Sequence, residues 1–254
     1  MDKYIQFQSF NHVYSVYNNN TDYTSVTSFI HKFFPPFIED EVIGKMTNSI
    51  CNPSSEYYLK TPDEIKAMWM FKRNQGTFMH LCIEHILMGV LQSEHTMLQY
   101  MPVEYAYFNQ FHQKIKSEGF QPYRLEWRIF DEKYKICGSV DALFIKDNEI
   151  SMFDWKRSKE IRKYSNEMGF APLDHVPNCN YYTYSLQLNL YKYIIESNYG
   201  LRIKDMFMVI IHPNQPNYQM VPIEVMQPTI KTMLKHNRDM ALDLQLLSVD
   251  EEGS

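Results

Sequence analysis

Between residues 124 and 156 the chain writes three strands with almost nothing between them. Residues 124–130 alternate polar and apolar side chains, residues 135–145 do so again, and residues 150–156 form a third run after an Asp147-Asn148 turn. Connections this short leave no room for a crossover helix, so the three must form an antiparallel meander. Alternation along a strand then fixes directions. Asp154 and Lys156 share one face, Trp155 points the other way toward a core, and Asp141 can sit beside Asp154 across the pair.

Helical patterns flank the meander. Ser25-Val26-Thr27 precedes Phe29-Ile30 and Phe33-Phe34 and supplies an N-cap, and Pro35-Pro36 ends or bends that segment. Thr61 followed by Pro62 opens a helix, and a second helical run is expected after Gly76, with His80 and Glu84 one turn apart. Residues 182–197 read as a helix, residues 207–211 and 220–225 as strands, and residues 228–246 as a closing helix. Residues 1–24 are polar and Asn-rich, with Asn18-Asn19-Asn20 marking a loop, and residues 48–55 read as another loop. The expected fold is α/β, with a central mixed β-sheet flanked by helices. Residues 1–60 are expected to be an N-terminal helical and loop elaboration that packs on a core spanning 61–250.

The strand face that carries Asp154 and Lys156 has a chemistry. Two carboxylates and an ammonium converge at the end of a hairpin. Hard divalent cations prefer carboxylate oxygens. A metal acidifies bound water and neutralises charge on a transferring phosphoryl group, and a lysine beside it can orient or deprotonate that water or stabilise charge. An isolated Asp-x-Lys is more often a surface ion pair on a strand, so the surrounding motifs decide.

Those motifs resemble the PD-(D/E)XK nuclease superfamily, and more narrowly its RecB-type exonuclease branch, over roughly residues 25–195. Ser25-Val26-Thr27 is similar to the N-terminal Ser-Val-Thr of mitochondrial genome maintenance exonucleases. Gly76-Thr77-Phe78-Met79-His80, with Glu84 a turn later, resembles the branch's helical G-x-x-x-H motif. Glu126 matches an acidic residue on the first core strand. Gly138-Ser139-Val140-Asp141 is similar to G-x-x-D, Asp154-Trp155-Lys156 to D-x-K, and Gln187-Leu188-Asn189-Leu190-Tyr191 to the Q-x-x-x-Y helix. Val140 stands where the superfamily name has proline.

The resemblance implies a restriction-endonuclease-like core and a Mg²⁺- or Mn²⁺-dependent phosphodiester hydrolase. It assigns Asp141, Asp154, the Trp155 carbonyl and His80 to the metal, with Glu84 and Glu126 as further acids. It assigns Lys156 to the attacking water, and Gln187 and Tyr191 to the phosphate or to Lys156. Ser25 and Thr27, with the basic run Arg157, Lys159, Arg162 and Lys163, would contact DNA, although a solvated face is the usual reading of such a run. Exonuclease action on DNA ends or single strands, in replication, recombination or repair, is implied. The alternatives are a structure-selective or RNA-cleaving endonuclease on the same core, or an inactive nucleic-acid-binding protein.

Composition sets outer limits. The net charge of −5 disfavours a general electrostatic coat for DNA. Four scattered cysteines form no CxxC and do not follow the iron–sulfur pattern of some relatives, so no iron–sulfur cluster is expected, and free thiols point to a reducing intracellular compartment such as the cytoplasm, the nucleus or a viral replication site. No secretory signal and no membrane span are read. No GxxxxGK[ST] loop occurs, so a helicase or replication factor would be a separate partner. His85, His95, His112, His175 and His212 match no motif. Tyr181, Tyr182 and Tyr184 are expected to pack rather than stack on bases.

Overall fold

The computed structural model describes residues 2–8, 13–19 and 22–252, with the last helix beyond residue 240 described as backbone only. Its strands are β1 (Ile5–Gln8), β2 (Val13–Val16), β3 (Thr24–Ser25), β4 (Gln121–Asp131), β5 (Ile136–Lys146), β6 (Glu149–Lys156), β7 (Ile203–Ile210) and β8 (Gln219–Pro222). Its helices are α1 (Val26–His31), α2 (Glu39–Lys45), α3 (Thr47–Cys51), α4 (Pro62–Leu87), α5 (Leu91–Tyr100), α6 (Pro102–Ser117), α7 (Asn180–Asn198) and α8 (Gln227–Glu252). The chain divides into two compact units: Met1–Pro35 with Tyr107–Ser254, and Pro36–Ala106.

The first unit is built on a mixed sheet flanked by helices. β4, β5 and β6 form the antiparallel meander that the sequence demands. β7 then joins β6 in parallel, through a connection long enough to hold α7, and β8 returns antiparallel at the edge. One face buries Met152, Ile150 and Leu143 with Leu186, Leu190 and Ile194 of α7 and Val26, Phe29 and Phe33 of the α1 region. The opposite face of β6 carries Phe153 and Trp155. Trp155 meets Phe108 and Phe111 of α6 edge-on at 5.8 and 5.4 Å.

The second unit is helical. Thr61 caps α4: its side chain accepts from the Glu64 N–H, while the Glu64 carboxylate takes the Thr61 N–H at 2.8 Å. Such a reciprocal cap supports a long helix. It runs 26 residues and passes straight through Gly76. The break expected at Gly76 is absent because an isolated glycine costs only about 1 kcal/mol in a helix, and Ile65, Met79, Cys82, Ile83 and Ile86 bury one continuous stripe.

Two segments with no helix or strand pattern in sequence hold regular elements. Residues 5–8 and 13–16 form β1 and β2, which pair antiparallel with Ile5 opposite Val16. Tyr17 and Asn18 follow β2, both with positive φ, 53° and 63°. Asn20 lies outside the described residues. Residues 47–51 form the short helix α3. Ser25 does cap α1, accepting from the Ser28 N–H at 3.0 Å.

Candidate functional site

A strand has two edges, and the site forms where one edge of β5 is left open. β4 fills the first edge of β5 from Gln121↔Ile145 to Asp131↔Ile136. The second edge is shared. β3 takes Ile136 and Cys137, and β6 takes Ala142 to Lys146. Among the described residues, 138–141 therefore have no strand partner on that edge. β6 meanwhile continues beside β7 to Lys156↔Ile210, so β5 and β6 part beyond Ala142↔Phe153.

Asp141 spans the opening. Its Oδ2 accepts the Trp155 N–H at 2.8 Å, where the next ladder carbonyl would otherwise sit. In an extended strand a residue's N–H and C=O point to the same side, so the Trp155 carbonyl also faces Asp141. Asp154, 2% exposed, lies with its Oδ2 2.7 Å from the Lys156 Nζ. The Lys156 ammonium also donates to the Gln187 Oε1 at 3.1 Å and stands 4.5 Å from the Tyr184 ring centre. The Gln187 Nε2 donates to the Tyr191 hydroxyl at 3.1 Å. The four-residue spacing of Gln187 and Tyr191 puts both on one side of α7.

Gly138 belongs to the same arrangement. A Cβ there would lie 2.7 Å from the Tyr191 Cε1, inside van der Waals contact. The glycine of the G-x-x-D motif is thus the space into which the tyrosine of the Q-x-x-x-Y motif fits.

Burial and charge oppose each other at Lys156. Burial, the largest influence, pulls its pKa down, but Asp154 and then Asp141 outweigh it and leave it above the ordinary value. Lys156 is therefore firmly protonated in the ligand-free protein. Burial raises the Tyr191 pKa well above its usual value, although the bond from Gln187 opposes this. Tyr191 remains a neutral phenol.

Glu126 adds a third carboxylate. The ladder of β4 and β5 places it between Leu125↔Ala142 and Trp127↔Val140, opposite Asp141. Its Oε2 accepts from the Ser139 hydroxyl at 3.1 Å. A carboxylate oxygen of Glu126 lies within 4.8 Å of one of Asp141, and a hard cation held at about 2.0–2.6 Å from each ligand fits between donors at that spacing. Glu126 has φ +42°, a conformation that costs about 1–3 kcal/mol outside glycine and persists where the surroundings enforce it.

Sequence patterns gave no sign of Tyr14. The β1–β2 hairpin carries it against Phe130 and Cys137. Burial raises its pKa first, and the charges of Cys137, Glu126 and Asp141 raise it further. Its segment is polar and Asn-rich in sequence and carries no strand pattern, so nothing marks it. Tyr184, expected to pack, lies under the Lys156 ammonium.

The remaining candidates are more dispersed. Ser25 caps α1 and pairs with Cys137 through β3. Thr27 lines a small cavity with Tyr184 and Gln187. Arg157 is half-buried, while Lys159, Arg162 and Lys163 are exposed. Arg162 pairs with Glu160, and Lys163 stands 4.6 Å from the Tyr181 ring centre. His80 and Glu84 lie on α4 in the second unit, both half-buried. Among the described residues, no helix is long and apolar enough to cross a membrane.

No protein-family model matches the sequence, and no curated protein matches it. Among solved structures, a Eubacterium rectale protein named "Putative exonuclease" is similar over 93% of this chain and 85% of its own, at 15% identity and a TM-score of 0.47. A second, SSO0001, is similar over 65% of this chain and 74% of its own, at 16% identity and a TM-score of 0.26. Likeness at these scores is too low to carry function, which has to be argued from the geometry of the site.

Proposed function

We propose that the protein is a divalent-metal-dependent DNA exonuclease of the RecB-type branch of the PD-(D/E)XK nucleases, acting at DNA ends or on single strands in replication, recombination or repair. One observation carries this reading. Residues from three separate sequence motifs, G-x-x-D, D-x-K and Q-x-x-x-Y, interlock at the open stretch of the β5 edge. A plain surface ion pair between Asp154 and Lys156 would need none of the other partners.

Asp141, Asp154, Glu126 and the Trp155 carbonyl would hold the metal, a donor set of hard oxygens suited to Mg²⁺ or Mn²⁺. Sequence resemblance adds His80, and Glu84 beside it. The bound ion would supply an acidified water and charge neutralisation at the phosphate. The chain's own groups do the rest. Lys156, held protonated by Asp154 and Asp141, donates to the water or to a phosphate oxygen as charge builds there. Gln187 fixes the Lys156 ammonium, and Tyr191, neutral and wedged on Gly138, fixes Gln187.

The test is cleavage of end-labelled linear DNA beside closed circular single-stranded DNA, with Mg²⁺, Mn²⁺ or EDTA. The expected result is metal-dependent loss of the linear substrate alone, abolished in Lys156→Ala. Cutting of the circle as well would replace exonuclease by endonuclease. No cleavage of either under any metal would reject the enzyme.

A further inference from the structure

The loop that leaves β6, residues 157–170, is hydrogen-bonded along its backbone and exposes many, though not all, of its side chains. With Lys156 at its start, residues 156–163 carry five cations against one carboxylate, Glu160, in a chain whose net charge is −5. The backbone is pinned along its length. The Arg162 N–H donates to the Asn180 Oδ1 at 2.8 Å, and the Asn180 Nδ2 donates to the Glu160 carbonyl at 2.9 Å. The Gly169 N–H donates to the Val176 carbonyl at 2.9 Å, and the Phe170 N–H to the Phe33 carbonyl at 2.7 Å. At Gly169 a Cβ would lie 2.7 Å from the Leu173 carbonyl and 2.9 Å from that of Phe33.

A loop anchored in this way has no folding need for large rings in water. Yet Tyr164 is 74% exposed and Phe170 is 52% exposed. The Tyr164 hydroxyl is bonded to the Asn166 side chain. Phe170 forms a wall of a cavity of about 520 Å³, lined also by Phe33, Met240, Lys32 and His236. That volume falls within the range of small-molecule sites. A run of cations at 157–163, followed by rings displayed at 164 and 170 with Glu167 between them, matches the needs of one kind of ligand. Phosphates meet the cations, and unpaired bases stack on the rings. A duplex hides its base faces and can use only the cations.

We propose that residues 157–170 bind an unpaired nucleic-acid strand, with Tyr164 and Phe170 as stacking platforms. This makes the substrate of the proposed nuclease single-stranded where it meets the loop, and it rests on that reading for its link to the catalytic strand.

The test is fluorescence anisotropy of a labelled oligothymidylate and of a labelled blunt hairpin duplex with the full chain in EDTA, where no turnover occurs. Base–aromatic stacking is worth about 1–3 kcal/mol per base, or about 5- to 150-fold in affinity. Tyr164→Ala combined with Phe170→Ala is expected to weaken the oligothymidylate at least about tenfold and to leave the duplex within about twofold. Tyr164→Phe combined with Phe170→Tyr, which keeps both rings, is expected to retain wild-type affinity. An equal loss on both ligands, no loss on the oligothymidylate, or no binding of it by the wild type would overturn the proposal. Cleavage is measured separately with Mg²⁺. A ring-dependent single-strand preference without cleavage would sink the nuclease reading and leave the loop's role standing, and cleavage without ring dependence would do the reverse.

Discussion

On β6, Phe153 and Trp155 point into a stack of rings, while Asp154 and Lys156, their immediate neighbours, point to the opposite face. Trp155 is 1% exposed and is met edge-on by Phe108 and Phe111. Asp154 is almost equally buried, at 2%, but is held by a charge instead of by packing. Burial is therefore not what separates the two faces. The ring face gains free energy by leaving water. The charged face loses hydration, and the Asp154–Lys156 attraction offsets that loss only while both partners are present.

The largest effects should come from separating those partners. Lys156→Ala leaves Asp154 as an uncompensated buried charge, which costs about 3–5 kcal/mol, and under the proposed function it is expected to lower turnover by about 10²–10³-fold. Asp154→Asn with Lys156→Met removes both charges and is expected to recover most of the stability and none of the activity. Trp155→Ala costs a similar 3–5 kcal/mol or so through its cavity. No second change on the charged face should restore it. Urea midpoints of the four chains, measured with turnover, check this. If the double variant is as unstable as Lys156→Ala, the charged face is held by something other than its own pair.

A smaller effect tests the seam between β5 and α7. Gly138→Ala sets a methyl group 2.7 Å from the Tyr191 ring. Overpacking of this kind costs about 1–3 kcal/mol. Because Tyr191 holds Gln187 and Gln187 holds Lys156, kcat should fall while KM changes little. Pairing Gly138→Ala with Tyr191→Leu should relieve the strain without restoring kcat. An unchanged melting temperature and kcat in Gly138→Ala would show that the ring moves freely and positions nothing.

The sequence made the β6 contrast readable because alternation forces it: Asp154 and Lys156 must lie on one side and Trp155 on the other. The antiparallel meander followed from its short connections, and the Thr61 and Ser25 caps from local chemistry. What stayed hidden depended on long-range packing. The β1–β2 hairpin pairs two four-residue strands and gains its stability against Phe130 and Cys137, more than a hundred residues away, so Tyr14 had no local signature. Gly76 looked like a break because the glycine is visible in sequence and the stripe that overrides it is not. The open edge at 138–141 arises from two strands sharing one side of β5, which no single segment encodes.

High pH sharpens the comparison from another side. Burial pushes the Cys137 thiol from an ordinary 9.0 up to about 12, and the Lys156 pKa also lies above its ordinary value. Both groups bind their proton more tightly folded than unfolded. Each therefore contributes stability that is fully present below its unfolded pKa and is lost as pH rises through the folded one. For the thiol that window runs from about 9 to about 12. The urea midpoint should hold steady to pH 8 or so and decline above 9. Cys137→Ala removes the thiol's share and should flatten the early part of the decline, between pH 9 and 10, while leaving the later part that belongs to Lys156 and the buried tyrosines. An unchanged slope in Cys137→Ala would mean that the thiol is hydrated in the folded protein, and that the hairpin over Cys137 opens far more often than its packing suggests.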